Sequence, residues 1–468
     1  MAGTINSLGL GSGVLTSDVI DKLKAADTAS LITPIDGKIT LQKQKDAALS
    51  LLGSLMTTFK SSVDAMGDSS LYQQRSVTGN NSSVSVTVNS GVATQSFSIS
   101  NTQMALANVK ESGTFSALTS TVATGSGTMG LTINGTTYDI NYTAATTLSE
   151  LKDAINSVAG SSVKASTLQV GTNDYRLVLT SVQTGVNQTI SLTDSVGGSL
   201  DTKLLAYDAA TNPTGMEEIQ AARDASFKYN GITLTRSSNV ISDITPGVTI
   251  NLLGDNGSTN IAIVQDTQAI ADAMSSFVQN YNSLTSQLTS MTTTDVEAGK
   301  VGIFNGDSSI NLITREINQL VTSVDSKGLS LAQFGIDLSQ EGTMSFNSST
   351  FTSKFNENAT LAENFFSGMT TVNANGSTTR VDGLFTSMTS LLDRYTGVKG
   401  MIETLTTSSS NELKTLNENK KSAQAMLNSR YEVMSARFAR YDSLISRLNN
   451  QFSSLQQQIS MAVNGTNN

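Results

Sequence analysis

The sequence predicts an α+β multidomain protein: a discontinuous helical stalk with terminal coiled-coil helices, into which antiparallel β-rich head domains are inserted. Three observations carry this. From Leu427 onward, apolar residues fall at Leu427, Tyr431, Met434, Phe438, Tyr441, Ile445, Leu448, Phe452, Leu455 and Ile459, in alternating steps of 4 and 3. That 3.5-residue repeat keeps one seam of a helix turned toward a partner helix. A shorter stripe, Leu49, Leu52, Met56, Phe59, Val63 and Met66, lies near the other end. Between the two, the apolar period falls to 2, as on a half-buried strand.

Taken in order, a first helix is expected over about Ser17–Asp27, with Thr16 or Ser17 as N-cap and Asp18 in its first turn. Pro34 interrupts the pattern and suits the first turn of a second helix running to Met66. From Ser76 to about Val264 the chain reads as strands. Val84, Val86 and Val88 alternate with polar residues, as do Phe97 and Ile99 beyond the turn residues Asn89-Ser90-Gly91. Asn134-Gly135 and Asn230-Gly231 are hairpin turns, because both central positions of a type I′ turn need positive φ. One helix interrupts the β region: Leu148, Leu151, Ile155 and Val158 share a face, and Thr147 with Glu150 forms a capping box. The helical period returns at Ile270, Met274, Phe277, Val278, Tyr281, Leu284 and Leu288, then over about Ile310–Val324, with shorter pieces to Gly400.

Composition restricts function. The chain of 468 residues has a net charge of −9 and no Lys/Arg cluster, which argues against nucleic acid and against an anionic membrane surface. Cysteine and histidine are both absent, which removes thiol chemistry, the commonest zinc ligands and the usual general base. No cofactor and no catalytic residue is expected. The opening MAGTINSLGLGSGVLTSDVIDKL has no basic leader and no continuous apolar core, so no secretory signal peptide is read there. No apolar run is long enough to span a membrane.

The motif-like segments read as ordinary structure. Gly9-Leu10-Gly11-Ser12-Gly13 lacks the lysine and the preceding strand of a phosphate loop. Ser149/Lys152 and Ser161/Lys164 fit S-x-x-K without its companion elements. Glu217-Glu218, read on a helix, would diverge rather than converge on one bond. Asp255-Asn256-Gly257 lacks spaced calcium ligands and reads as a hairpin turn. Arg430, Arg437, Arg440 and Arg447 flank the C-terminal stripe and read as its solvated face.

The stripes themselves divide. Leu49, Leu52, Met56, Phe59 and Val63 are expected to pack against Ile270, Met274, Phe277, Tyr281 and Leu284 in one antiparallel bundle. The C-terminal stripe is too strict and too long for a single domain to cover. It is read as a coiled-coil seam for oligomerisation or filament contact.

Several segments resemble the flagellar filament cap family, hook-associated protein 2. They are Ile5-Asn6-Ser7-Leu8-Gly9-Leu10-Gly11-Ser12-Gly13 with the Val19–Leu23 helix; Ala225–Leu252, ASFKYNGITLTRSSNVISDITPGVTINL; and the terminal RYEVMSARFARYDSLISRLNN. Thr147–Gly185, with LKDAINS, VKAS and YRLVLTS, is similar to the hook-associated repeat of axial flagellar proteins. The resemblance implies a homo-oligomeric ring, most often a pentamer, at the distal filament tip. Such a ring retains exported flagellin and promotes its folding and insertion, and it is not an enzyme. Hook-associated junction proteins and a type III export chaperone are the further partners implied, with export through the flagellar type III apparatus and no cleaved signal.

On this mapping, residues 1–40 form an N-terminal flexible leg and 41–70 a stalk helix. Residues 71–112 and 208–266 are the two parts of one β-rich head domain, into which 113–207 inserts as a second. Residues 267–400 complete the helical stalk, and 401–468 form the C-terminal coiled-coil leg. A hook–filament junction protein, or a surface adhesin acting through the β head, are the alternatives.

Overall fold

A computed structural model describes residues 17–464 apart from Gly197, residues 296–298 and Ala374. The glycine-rich opening Ile5–Gly13 and the Thr16 cap lie outside the described residues. The helices are α1 (Ser17–Leu31), α2 (Thr33–Gly67), α3 (Ser69–Tyr72), α4 (Leu148–Ala159), α5 (Thr267–Thr292), α6 (Ser308–Val321), α7 (Ser348–Glu357), α8 (Ala359–Ser367), α9 (Leu384–Thr396) and α10 (Met401–Asn464). The chain forms two compact units. One joins the sequence up to Ser69 with that from Ile270 onward, and the other is Ser70–Ala269.

The first unit is the helical stalk. α1 and α2 nearly form one rod: Ile32 keeps helical angles (φ −93°, ψ −47°), its N–H donates to the Thr28 carbonyl, and the Asp36 N–H donates to the Ile32 carbonyl, both at 2.9 Å. Pro34 sits in the first turn of α2, where a missing N–H costs no helical bond. α2 buries Leu49, Leu52, Met56, Phe59 and Val63, and α5 buries Ile270, Met274, Phe277, Tyr281 and Leu284. The Phe59 ring lies 5.5 Å from Phe277 and 6.1 Å from Tyr281. From Phe277 the ring contacts continue to Phe385 at 4.9 Å, Phe366 at 5.7 Å and Phe334 at 4.7 Å, so aromatic packing ties α2, α5, α8 and α9 into one core.

Periodicity alone implied only helices in this part of the stalk. It also holds three antiparallel pairs: Thr294–Asp295 with Lys300–Val301, Ile336–Leu338 with Met344–Phe346, and Gly368–Val372 with Thr378–Asp382. Strands of two to five residues are too short to establish a period.

The second unit contains two apolar cores. One lies with a five-stranded antiparallel sheet, ordered Arg75–Thr78, Thr259–Gln265, Gln95–Gln103, Ala225–Tyr229, Ile232–Arg236, and a three-stranded sheet, Val240–Ile241, Val248–Leu252, Val84–Val88. Val86, Phe97, Ile99, Phe227, Ile250 and Ile261 are buried there. The other combines α4 with the sheets Glu217–Gln220, Val109–Glu111, Asp174–Ser181, Val163–Gly171 and Thr136–Tyr142, Gly127–Ile133, Ser191–Val196. Both Asn-Gly pairs close hairpins with positive φ throughout: 48° and 73° at Asn134-Gly135, 48° and 81° at Asn230-Gly231. The Thr147/Glu150 capping box is complete, and α4 buries Leu148, Leu151, Ile155 and Ala159.

The chain passes between the two cores at a narrow neck, where Leu106 and Arg223 exchange backbone hydrogen bonds. Asn108, fully buried beside it, donates to Glu218 at 2.7 Å and to the Gln220 carbonyl at 3.0 Å, and accepts from the Ile190 N–H at 2.9 Å. A buried amide is tolerated because both of its ends are satisfied.

Three local readings change. Val158 is exposed and Ala159 takes the buried position on α4, since the helix turns past Val158 before its stripe repeats. Glu217-Glu218 lie on a strand opposite Glu111 and Lys110, not on a helix. Asp255-Asn256-Gly257 joins strands of two different sheets, because Val248–Leu252 pairs with Val84–Val88 while Thr259–Gln265 pairs with Gln95–Gln103.

Candidate assembly seam

α10 is 64 residues long, about 96 Å at ~1.5 Å per residue. Its first two thirds run antiparallel to α2 and α1 in unbroken register. Ile402 meets Gly53, the Ser409 hydroxyl bonds Asp46, and the Gln42 amide donates to the Ser409 carbonyl at 3.1 Å. Lys420 then pairs with Asp36 at 2.6 Å, and Arg430 with Asp27 at 3.1 Å. Each step up α10 is matched by a step down α2 and then α1.

The seam residues divide along that path. Leu427 (2% exposed) and Tyr431 (5%) are buried against Ile20 and Ile32, and Met434 and Phe438 pack half-buried on the same cluster. The Tyr431 hydroxyl donates to Asp27 at 2.8 Å. Its pKa is pushed up, by desolvation first and by the carboxylate it faces second. Beyond Phe438 the stripe opens. Ile445 is half-buried, while Tyr441, Leu448, Phe452 (70% exposed), Leu455 and Ile459 are exposed. The strict heptads thus run on as an exposed apolar stripe beyond the part of α10 that the described residues of α1 cover.

Ile20, Asp27 and Ile32 escaped the sequence reading. α1 is polar, with Lys and Asp between sparse apolar residues, and its stripe shows only once α10 is laid against it. Within the stalk, polar clamps join α2 to α9: Lys60 pairs with Asp64 at 2.6 Å and Asp393 at 3.2 Å, and the Thr389 hydroxyl donates to Asp64 at 2.7 Å. The Asp64 bond first, with the Asp393 carboxylate, raises the Lys60 pKa against the opposing effect of burial.

Among the described residues no group of three or more Asp or Glu is placed to hold a metal ion. No described helix is long and apolar enough to cross a membrane. A helical stalk with inserted β domains and a terminal helix presenting an open heptad seam is the architecture of a structural assembly protein.

The model of the flagellar hook-associated protein 2 C-terminus matches residues 222–450, that of its N-terminus residues 12–108, and that of the flagellin hook IN motif residues 130–183. Flagellar hook-associated protein 2 of Escherichia coli K12 is 30% identical over 97% of this chain and 98% of its own. Its counterpart from Campylobacter jejuni is 33% identical over 79% of this chain, an alignment spanning 65% of that relative's length. The crystal structure of the D1-D2-D3 domains of the flagellar cap protein FliD from Escherichia coli superimposes with a TM-score of 0.58 at 28% identity, covering 78% of this chain and 99% of that one. The chain belongs to the flagellar hook-associated protein 2 family.

Proposed function

We propose that this chain caps the flagellar filament: a homo-oligomeric ring at the distal tip that retains exported flagellin and promotes its folding and insertion, with no enzymatic step. Five copies is the ring size the family resemblance favours. Hook-associated junction proteins and a type III export chaperone are its further partners, and the flagellar export apparatus is its route out of the cell. The observation that carries the reading is the open half of the α10 seam, Tyr441, Ile445, Leu448, Phe452, Leu455 and Ile459, on a chain of this family. An apolar heptad face of that length is stable in water only against other helices. The stalk residues Leu49, Leu52, Met56, Phe59, Val63, Ile270, Met274, Phe277, Tyr281 and Leu284 have the supporting role of holding the base of α10 rigid.

The mass in solution of the full chain, beside one carrying Phe452→Ser and Leu455→Ser, tests the reading. A closed oligomer that the double variant weakens supports it. A monomer at all concentrations, unchanged by the substitutions, contradicts it. The junction-protein alternative is disfavoured by the match of the hook-associated protein 2 C-terminus over residues 222–450.

A further inference from the structure

Asparagine side chains stand in for a neighbouring strand at four places in this chain. Asn80 donates to the Val86 carbonyl at 3.2 Å and accepts from the Val86 N–H at 2.8 Å. Asn239 does the same for Ala105, Asn156 for Ala165 and Asn282 for Met344, all at 2.7–2.9 Å. Each amide occupies both polar groups of a main-chain residue that would otherwise lie open to another chain.

On the strand Val163–Gly171 this protection stops short. It is an edge strand, paired with Asp174–Ser181 on one side and with no described strand on the other. Residues of an antiparallel strand turn their N–H and C=O alternately toward the partner and away. Asn156 holds the outward pair at Ala165, so Thr167 and Gln169 face outward too. Their main-chain groups have no partner among the described residues. Leu168 and Val170 beside them are each 53% exposed. The other three edge strands of the two sheets around this core carry Glu217 and Glu218, Asp139, and Asp194, whereas residues 165–173 contain no charge. Lys164, the one charge on the strand, lies at the end that Asn156 already covers.

We infer that the open edge at residues 167–171 takes an uncharged, extended segment of an unfolded polypeptide as an added strand. The main chain of Thr167 and Gln169 supplies the hydrogen bonds, and Leu168 and Val170 favour β-branched and other apolar residues in the segment. Five residues span about 17 Å. A specific interface between folded proteins buries roughly 1,200–2,000 Å², far more than this edge offers, so it does not hold a second folded copy. An extended chain needs only the edge. The inference rests on the filament-cap reading for the source of the segment, the flagellin whose folding such a cap promotes, and not for the binding itself.

An end-blocked, dye-labelled peptide of alternating Val and Thr, beside the same peptide N-methylated at every second residue, tests this on the full chain. Fluorescence anisotropy reads the affinity, and hydrogen exchange reads the site. The plain peptide should bind and slow exchange at Thr167 and Gln169. The N-methylated peptide, short of N–H donors, should bind about tenfold more weakly. Thr167→Pro removes one outward N–H and no bond of the ladder, and should weaken binding about fivefold. Leu168→Lys puts a charge on the edge and should weaken binding without touching the main chain. Equal binding of the two peptides, or binding that neither substitution alters, would overturn strand addition. Slow exchange at both residues before any peptide is added would show the edge already covered by a second copy, and would overturn the inference too. Binding as expected, in a chain whose assembly Phe452→Ser and Leu455→Ser leave unchanged, would contradict the cap reading and uphold the edge.

Discussion

The Tyr431 hydroxyl donates a 2.8 Å hydrogen bond to Asp27, a residue 404 positions earlier in the chain. This contact joins the two terminal helices and marks the last well-buried turn of the α10 seam. Asp27→Asn or Tyr431→Phe is expected to loosen α1 from α10 without unfolding the rest of the stalk. Hydrogen exchange should then rise across Ser17–Leu31 and stay unchanged in the β unit. Exchange unaltered in α1 would show that Ile20 and Ile32 hold the helix alone.

Phe59 touches the rings of both Phe277 and Tyr281 at the centre of the stalk core and is fully buried. Phe59→Ala should therefore cost the stalk about 3–5 kcal/mol, seen as a lower urea midpoint for its helical signal. A loss within about 0.5 kcal/mol, the range of surface substitutions, would mean that the aromatic run is not the core it looks to be.

The Tyr395 hydroxyl, partly buried and donating to Glu316 at 2.7 Å, has its pKa pushed up by burial first and by that carboxylate second. An unfolded tyrosine ionises near about 10. Below that pH the contribution to stability is complete. Above it the unfolded chain releases a proton that the folded chain keeps, so stability declines as pH rises toward the folded value. Tyr395→Phe should flatten this alkaline decline, measured as urea midpoints on either side of pH ~10. An equally steep decline in the variant would place the alkaline sensitivity elsewhere.

Gly135 holds φ at 73° in the turn between Gly127–Ile133 and Thr136–Tyr142, with open space where a Cβ would stand. Gly135→Ala meets no clash and should still destabilise the β unit by about 1–2 kcal/mol through backbone strain alone. Thermal unfolding of the variant checks this, and an unchanged midpoint would mean that the turn relaxes out of the left-handed region.

What was legible in the sequence was whatever repeats locally. The stripes of α2, α5 and α10, the capping box at Thr147 and the two Asn-Gly hairpins follow from spacing within a few turns of chain. What was not legible depends on partners far away in sequence. The sheet order, which sets Thr259–Gln265 beside Arg75–Thr78, has no local signature. Neither has Asn108, whose role at the neck comes from Ser181, Ile190, Glu218 and Gln220 closing around it. The seam shows both cases. Its heptads could be read from Leu427 to Ile459, but the packing of Ile20 and Ile32 on Leu427 and Tyr431 could not. Arg430 is exposed, as a solvated face would be, but its ion pair with Asp27 has no local signature either.

The central claim, that the open α10 seam makes this chain a filament cap, is tested most directly on growing cells. Leu448→Ser, Phe452→Ser and Leu455→Ser would be introduced together into the cell's own copy, and filaments viewed by electron microscopy alongside an assay of flagellin in the medium. The account predicts a stably folded protein, bare hooks or stunted filaments, and unpolymerised flagellin outside the cell. Filaments of normal length, with the variant still seated at their tips, would contradict it.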